Sequence, residues 1–237
     1  MRWPLFRGNW WSAVFIHYEV EPRALQRCVP FELDLREGRA YASLVAFTLR
    51  RMRPGLSGRV GEMLLRPLSE HGLLNLRTYV RVGGETGIYF LAEWLPNRLA
   101  LPLGRPFFGL PYHFGQLAYR HDPESGSISG EARSRRGVLR YRGEFADAAG
   151  FAPCDPDSRG EFLLERYTAF TEWRGLRRFF RVWHQPWLLR PVELKVSDDS
   201  LLQTTGNWHR YARMIGAQYS PGVEDVWMGQ PQLLQSA

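Results

Sequence analysis

Along this chain apolar and polar residues alternate with a period of two more often than with the helical period. "AVFIHYEV" (13–20) predicts a strand, and "EPRALQRCV", with Pro22 early, predicts a short helix. "FELDLREGRAYASLVAFTLRRM" predicts two strands joined at Glu37-Gly38. The clearest hairpin is "LLNLRTYVRV", the turn "GGETG" and "IYFLAEWL". On its first strand Asn75, Arg77, Tyr79 and Arg81 share one face, and Leu74, Leu76, Thr78 and Val80 share the other. A short helix is predicted over 96–103. "HFGQLAYRH" and "VLRYRGEF" predict strands around a polar loop, "DPESGSISG". "EFLLERY" predicts a helix; "YTAFTEW", "RRFFRVWHQ", "PVELKVSD" and "GVEDVWM" predict further strands. The Pro and Gly content of 49–67 opposes a continuous element and predicts an excursion.

Many strands with few short helices predict a mainly β (α+β) fold of closed or half-closed antiparallel sheets, in one domain spanning 1–237. A doubly wound α/β fold needs regular helices between strands, and the pattern supplies none.

Composition changes this picture in two ways. Aromatic residues make up 14% of the chain, with nine Trp, which suits either a tight β core or a core around a cavity. The net charge of +7 rests almost wholly on arginine, because Lys195 is the only lysine among 31 basic residues. Arginine binds anions but never forms an imine, so the chain has a single side-chain amine for Schiff-base chemistry. The arginine clusters (Arg50, Arg51 and Arg53; Arg133, Arg135 and Arg136; Arg174, Arg177, Arg178 and Arg181) are scattered and accompany no nucleic-acid motif. They read as solvated faces, so nucleic acid is not an expected partner. Cys28 and Cys154 stand in no CxxC spacing, the N-terminus lacks the core of a signal peptide, and no apolar run approaches membrane-spanning length. The expectation is a cytoplasmic protein without membrane partners, with self-association left open.

Dinucleotide, Walker-type and nucleophile-elbow patterns are absent; "GSISG" has Ile128 where the last of these needs serine. The six histidines show no HExxH or HxH spacing, so neither a metal nor a cofactor is expected. One stretch stands out: "GRPFFGLPYH" (104–113) is too stiff and too apolar for a solvated loop. It fits a packed corner or the wall of a site.

These carriers, in this order, resemble an uncharacterised bacterial family, domain of unknown function 2071 (YqjF-like): "VFIHYEVEPRALQRCVPFELDL", "NLRTYVR", "GRPFFGLPYH", "FLLERYTAF", "WHQPWLL" and "YSPGVEDVW". That family looks related to acetoacetate decarboxylase. The resemblance implies a decarboxylase-like β-barrel with a cone-shaped cavity. Acetoacetate decarboxylases carry a similar segment whose lysine forms the Schiff base, activated by a cationic neighbour. Here Gly104-Arg105 and Gly109-Leu110-Pro111 match it, but Tyr112 and His113 follow where lysines would stand. Imine-dependent decarboxylation is therefore not expected. Lys195, alternating in "PVELKVSD", reads as an exposed strand residue beside Glu193.

Two functions follow as expectations. The first is an enzyme that holds a small organic acid or carbonyl compound and moves protons without a Schiff base. Arg77, Arg105 and Tyr79 are its candidate substrate-binding residues; Tyr112, His113 and Glu165 are its candidate acid–base groups. Each has a structural alternative: a solvated or ion-paired arginine, a satisfied core tyrosine, a packed histidine, a glutamate in an ion pair at a helix end. The second function is a non-catalytic binding barrel, for which an aromatic cavity with a few polar anchors suffices.

Overall fold

The computed structural model describes residues 4–55 and 69–234. Among the described residues fourteen strands form one sheet. In chain order they are β1 (Phe6–Val20), β2 (Glu32–Leu33), β3 (Ala40–Pro54), β4 (His71–Val82), β5 (Glu85–Leu95), β6 (Tyr112–Phe114), β7 (Gln116–His121), β8 (Ser127–Ser134), β9 (Gly137–Phe145), β10 (Thr168–Trp173), β11 (Leu176–Trp183), β12 (Arg190–Asp198), β13 (Ala212–Met228) and β14 (Gln232–Leu233). The short helices are α1 (Pro22–Gln26), α2 (Leu101–Leu103), α3 (Arg159–Leu164) and α4 (Ser200–Gln203).

The sheet closes on itself. β11 pairs with β10 along its length and with β13 at Val182↔Met228 and Trp183↔Trp227. The ring runs β11-β10-β5-β4-β3-β1-β13 and back to β11. Beyond β13 the sheet continues through β12, β9, β8 and β7 as a second layer. This layer folds back over the outside of the barrel, where the Tyr119 hydroxyl donates to the Leu73 carbonyl. Two cores result. One lies inside the barrel and includes Phe15, Val45, Phe47, Tyr79, Phe180 and Val226. The other lies between barrel and outer layer and joins Val14, Ile16, Leu44, Leu74 and Leu76 to Ile128, Leu139 and Tyr141. Strands of the wall are therefore buried on both faces, as the run Ala13–Tyr18 is.

Mainly-β closure with few short helices is observed, with four local departures. The pairing is not wholly antiparallel, since β10 and β6 both run parallel to β5. The segment "SISGEARS" is a central strand, not part of a loop. Its inward positions are Ile128, Gly130 and Ala132; the middle one is glycine because the Tyr141 ring lies across it, where an added Cβ would come within 2.3 Å. Small residues give little hydrophobic alternation, so the strand is faint in the sequence. The helix over 96–103 shrinks to Leu101–Leu103, followed by a wide helical turn, Gly104–Phe108. The last long strand starts at Ala212 and runs 17 residues. The 49–67 excursion falls mostly outside the described residues; its start, through Pro54, belongs to β3. At the 73–95 hairpin the turn is Gly83-Gly84, with φ of 58° and 84°, conformations for which glycine is suited. Among the described residues no helix is long and apolar enough to cross a membrane.

Candidate functional site

The barrel encloses a cavity of about 130 Å³. An engineered cavity of about 150 Å³ accepts benzene, so this one fits a molecule of that order. Most of its wall is apolar: Phe6, Trp10, Val45, Phe47, Leu73, Ile88, Phe90, Phe108, Leu110, Phe180, Val182 and Met228 among others. Asn75, Arg77, Glu93, Tyr112, Arg166, Thr168, His184 and Trp187 interrupt it.

Three of these form a row across neighbouring strands. Asn75 on β4 faces Glu93 on β5, and Glu93 is in register with Tyr112 on β6. Glu93 points inward because β5 is irregular. The β4–β5 register slips between Leu76↔Ala92 and Arg77↔Phe90, which leaves Leu91 as an extra residue. Strict alternation would put Glu93 on the face opposite Ile88 and Phe90; the bulge turns all three into the cavity.

Glu93 is 4% exposed, and burial pushes its carboxyl up to about 8. The group is thus largely protonated at neutral pH. Among the described residues its Oε2 has no hydrogen-bond partner; neither does Asn75 Oδ1, Arg77 Nε or Trp187 Nε1. Four buried polar atoms without partners in one wall are unusual in a folded protein and call for an explanation. Tyr112 is held neutral by burial, with the nearby Glu93 acting in the same direction.

Arg77 is buried, at 6% exposure. Its Nη2 donates to the Leu163 carbonyl at 3.0 Å, and the Tyr79 hydroxyl donates to the same oxygen at 2.8 Å. Leu163 lies in the last turn of α3, where carbonyls lack helical partners. Among the described residues Arg77 forms no ion pair, whereas Arg166 and Arg81 both pair with Asp34, at 2.9 and 2.7 Å. Arg77 is therefore an unneutralised buried cation on the cavity wall. Behind it the Tyr79 hydroxyl meets Ser43 Oγ at 2.6 Å, Ser43 Oγ meets His17 Nδ1 at 2.6 Å, and His17 Nε2 meets Gln218 Oε1 at 2.7 Å. Gln218 Oε1 can only accept, so Nε2 carries the proton and Nδ1 accepts from the Ser43 hydroxyl, which leaves the single Tyr79 hydroxyl proton shared between the Leu163 carbonyl and Ser43 Oγ. Burial first, and the positive charge of Arg77 second, push His17 down to about 3.

His184 also reaches the cavity. Its Nδ1 donates to the Gln185 carbonyl at 2.7 Å, and its ring lies 5.1 Å from Trp187 and 5.7 Å from Trp10. Burial lowers its basicity.

Of the sequence candidates, Arg77 and Tyr112 line the cavity; the others do not. Tyr79 stands one step back, spending its hydroxyl on Leu163 and Ser43. Glu165 lies in an outer groove, where Oε1 accepts from the Trp187 amide at 3.0 Å and Oε2 from the Tyr167 hydroxyl at 2.5 Å. Its role there is to fasten the chain after α3. Arg105 and His113 face a different cleft outside the barrel. Strand alternation accounts for His113: Tyr112 and His113 are consecutive on β6 and point to opposite sides. Lys195 is exposed on β12, and among the described residues the cavity wall carries no lysine. Sequence reasoning missed Glu93, Asn75, His184 and Trp187 as a set. The available signal was one carboxylate inside the apolar run "IYFLAEWL".

"GRPFFGLPYH" builds both sides of this wall. Phe108, Leu110 and Tyr112 face the cavity, and Arg105 and His113 face outward. A Cβ on Gly104 would lie 2.3 Å from the Tyr112 ring, and Gly109 has φ 73°. The corner is pinned by the Glu93 amide on the Pro111 carbonyl and the Thr171 hydroxyl on the Phe108 carbonyl.

The family model DUF2071, described as an uncharacterized conserved protein, matches residues 7–224. A protein of Bacillus subtilis, uncharacterized protein YqjF, is 29% identical over 208 residues, covering 85% of this chain and 82% of its own. Among solved structures, an acetoacetate decarboxylase-like enzyme from Sphingomonas wittichii superposes with a TM-score of 0.70 at 15% identity, over 99% of this chain and 94% of that one. Acetoacetate decarboxylase from Legionella pneumophila gives 0.68 at 14% identity, over 98% and 87%. The enduracididine biosynthesis enzyme MppR, complexed with pyruvate, gives 0.66 at 14% identity, over 99% and 92%. These likenesses establish an acetoacetate decarboxylase-like fold.

Proposed function

The chain belongs to the DUF2071 family of uncharacterized conserved proteins, and on that footing we propose that its barrel cavity is the active site of an enzyme that moves protons on a small carbonyl-containing organic acid. The observation that carries this reading is the largely protonated Glu93, whose Oε2 has no hydrogen-bond partner among the described residues, sharing one small cavity with the unneutralised Arg77. A buried guanidinium without a counterion favours an anionic guest, because burial of an unpaired charge is costly. A substrate carboxylate meets Arg77 and the Trp187 indole N–H. The substrate carbonyl then lies toward the Asn75-Glu93-Tyr112 row.

Glu93 supplies a proton to the carbonyl oxygen while the His184 imidazole, whose Nδ1 is committed to the Gln185 carbonyl, accepts the proton that the adjacent carbon loses, which is enolisation by general acid–base catalysis. Asn75 and Tyr112 donate hydrogen bonds to the oxygen as charge develops on it. The missing lysine removes the imine route, and an enol route needs none. MppR, complexed with pyruvate, has a related fold and gives an example of the ligand size considered. A second reading, binding without turnover, is favoured by the mainly apolar wall.

The test is exchange of carbon-bound protons of small 2- and 3-keto acids in D₂O, followed by NMR. The wild type exchanges at least one of them. Glu93→Gln slows that exchange by about 100-fold or more while leaving binding in place. Catalysed exchange falls above pH 8, where Glu93 loses its proton. Equal exchange by both proteins removes Glu93 from the chemistry. Binding of a keto acid with no exchange in either protein establishes the second reading instead.

A further inference from the structure

Strands β5 and β6 carry a second set of chemical groups on their outer side. Where Glu93 and Tyr112 face the cavity, Trp94 and His113 face a cleft of about 750 Å³. Four arginines line it from two facing segments. Arg98 and Arg105 come from the stretch around α2, and Arg135 and Arg136 form the β8–β9 turn. No acidic side chain among the described residues lines the cleft. Among the described residues none of the four guanidiniums has an ion-pair partner, although most other arginine clusters do have one. Arg133 and Arg140, next along the same hairpin, both pair with Glu131, which separates the unpaired charge of the turn from Arg142 further along β9. The Arg98 guanidinium lies 4.4 Å from the Phe114 ring centroid, a stacking that fixes its plane and leaves its N–H edge open. His113 sits within the field of both segments: burial, then Arg105, then Arg136 lower its basicity, so it adds a neutral imidazole between them.

We propose that this outer cleft binds a small polyanion carrying two or more linked phosphate groups. Guanidinium forks match phosphate oxygens in pairs, and arginines on two facing sides match a chain of phosphates better than a single one. Four like charges held in one concavity repel one another and are relieved by such a guest. A nucleic acid would need the positive charge to continue as a stripe along the surface, and the pairing of Arg133 and Arg140 ends it. The site is separate from the cavity, so it stands or falls independently of the keto-acid chemistry.

Calorimetric titration of the full chain with inorganic pyrophosphate and tripolyphosphate at low salt tests the assignment. Tripolyphosphate is expected to bind about tenfold or more tighter than orthophosphate. The double variant Arg105→Gln/Arg136→Gln, one residue from each side, is expected to weaken it about tenfold or more. Arg98→Gln/Arg135→Gln, a second and independent pair of exposed positions, is expected to do the same. Arg142→Gln, exposed on β9 outside the cleft, leaves affinity unchanged. Absence of binding, or equal affinity in all variants, overturns the site. A short single-stranded oligonucleotide of matched charge binding more tightly than tripolyphosphate overturns the small ligand.

Discussion

Glu93 joins chemistry and stability in one side chain. In the unfolded chain its carboxyl titrates near the ordinary value of 4.5; folded, it titrates at about 8. Between those values the folded state holds a proton that the unfolded state has released. Stability therefore falls as pH rises through this window, and the loss is complete above pH 8. The full effect is on the order of 5 kcal/mol. Glu93→Gln keeps the shape without the titration. Urea unfolding at pH 4.5 and 8.5 should show the variant flat or less pH-dependent, and more stable than wild type at the higher pH. An unchanged pH slope would mean that the wall already stabilises the carboxylate. A protein that tolerates such a group commonly uses it, since strained electrostatics gather at functional sites.

At the scale of elements, two irregular pieces make the site. One is the β5 bulge at Leu91, which brings Glu93 to the same side as Phe90. The other is the corner 104–113, which delivers Tyr112 to the end of the row. Gly104 is required there by space alone, its missing Cβ being the place where the Tyr112 ring rests. Gly104→Ala should displace that ring and cost about 1–3 kcal/mol, as overpacking in a filled core does. The urea midpoint checks the cost, and loss of keto-acid binding checks the displacement. The corner was legible as stiff and apolar in "GRPFFGLPYH". The bulge was not, because a slip in register is a property of two strands together, and "IYFLAEWL" alone reads as one uninterrupted strand.

At the scale of the molecule, closure of the barrel depends on a short seam. β11 meets β13 at only Val182↔Met228 and Trp183↔Trp227, whereas β1 pairs with β3 and β13 along almost its whole length. Opening should start at the seam. Native-state hydrogen exchange should find amides of 182, 183 and 228 less protected than those of 14–18, whose strand is enclosed by two cores. Equal protection would mean that the barrel opens only as a whole.

The sequence by itself determined that the chain is mainly β, where most strands lie, that imine chemistry has no amine in the "GRPFFGLPYH" segment, and that Arg77 and Tyr112 merit attention. Those properties are local: alternation along one strand, glycine and proline at corners, the presence or absence of a residue type. The tertiary structure decided what faces what. It sent Tyr112 into the cavity and His113 out of it, because neighbours on a strand point to opposite sides. It put Arg105 with Arg98, Arg135 and Arg136 in an outer cleft, gathering residues from distant segments. It tied Glu165 to the Trp187 amide and brought Glu93 inward through the bulge. Charge and polarity are written residue by residue, but inside and outside exist only once the barrel has closed.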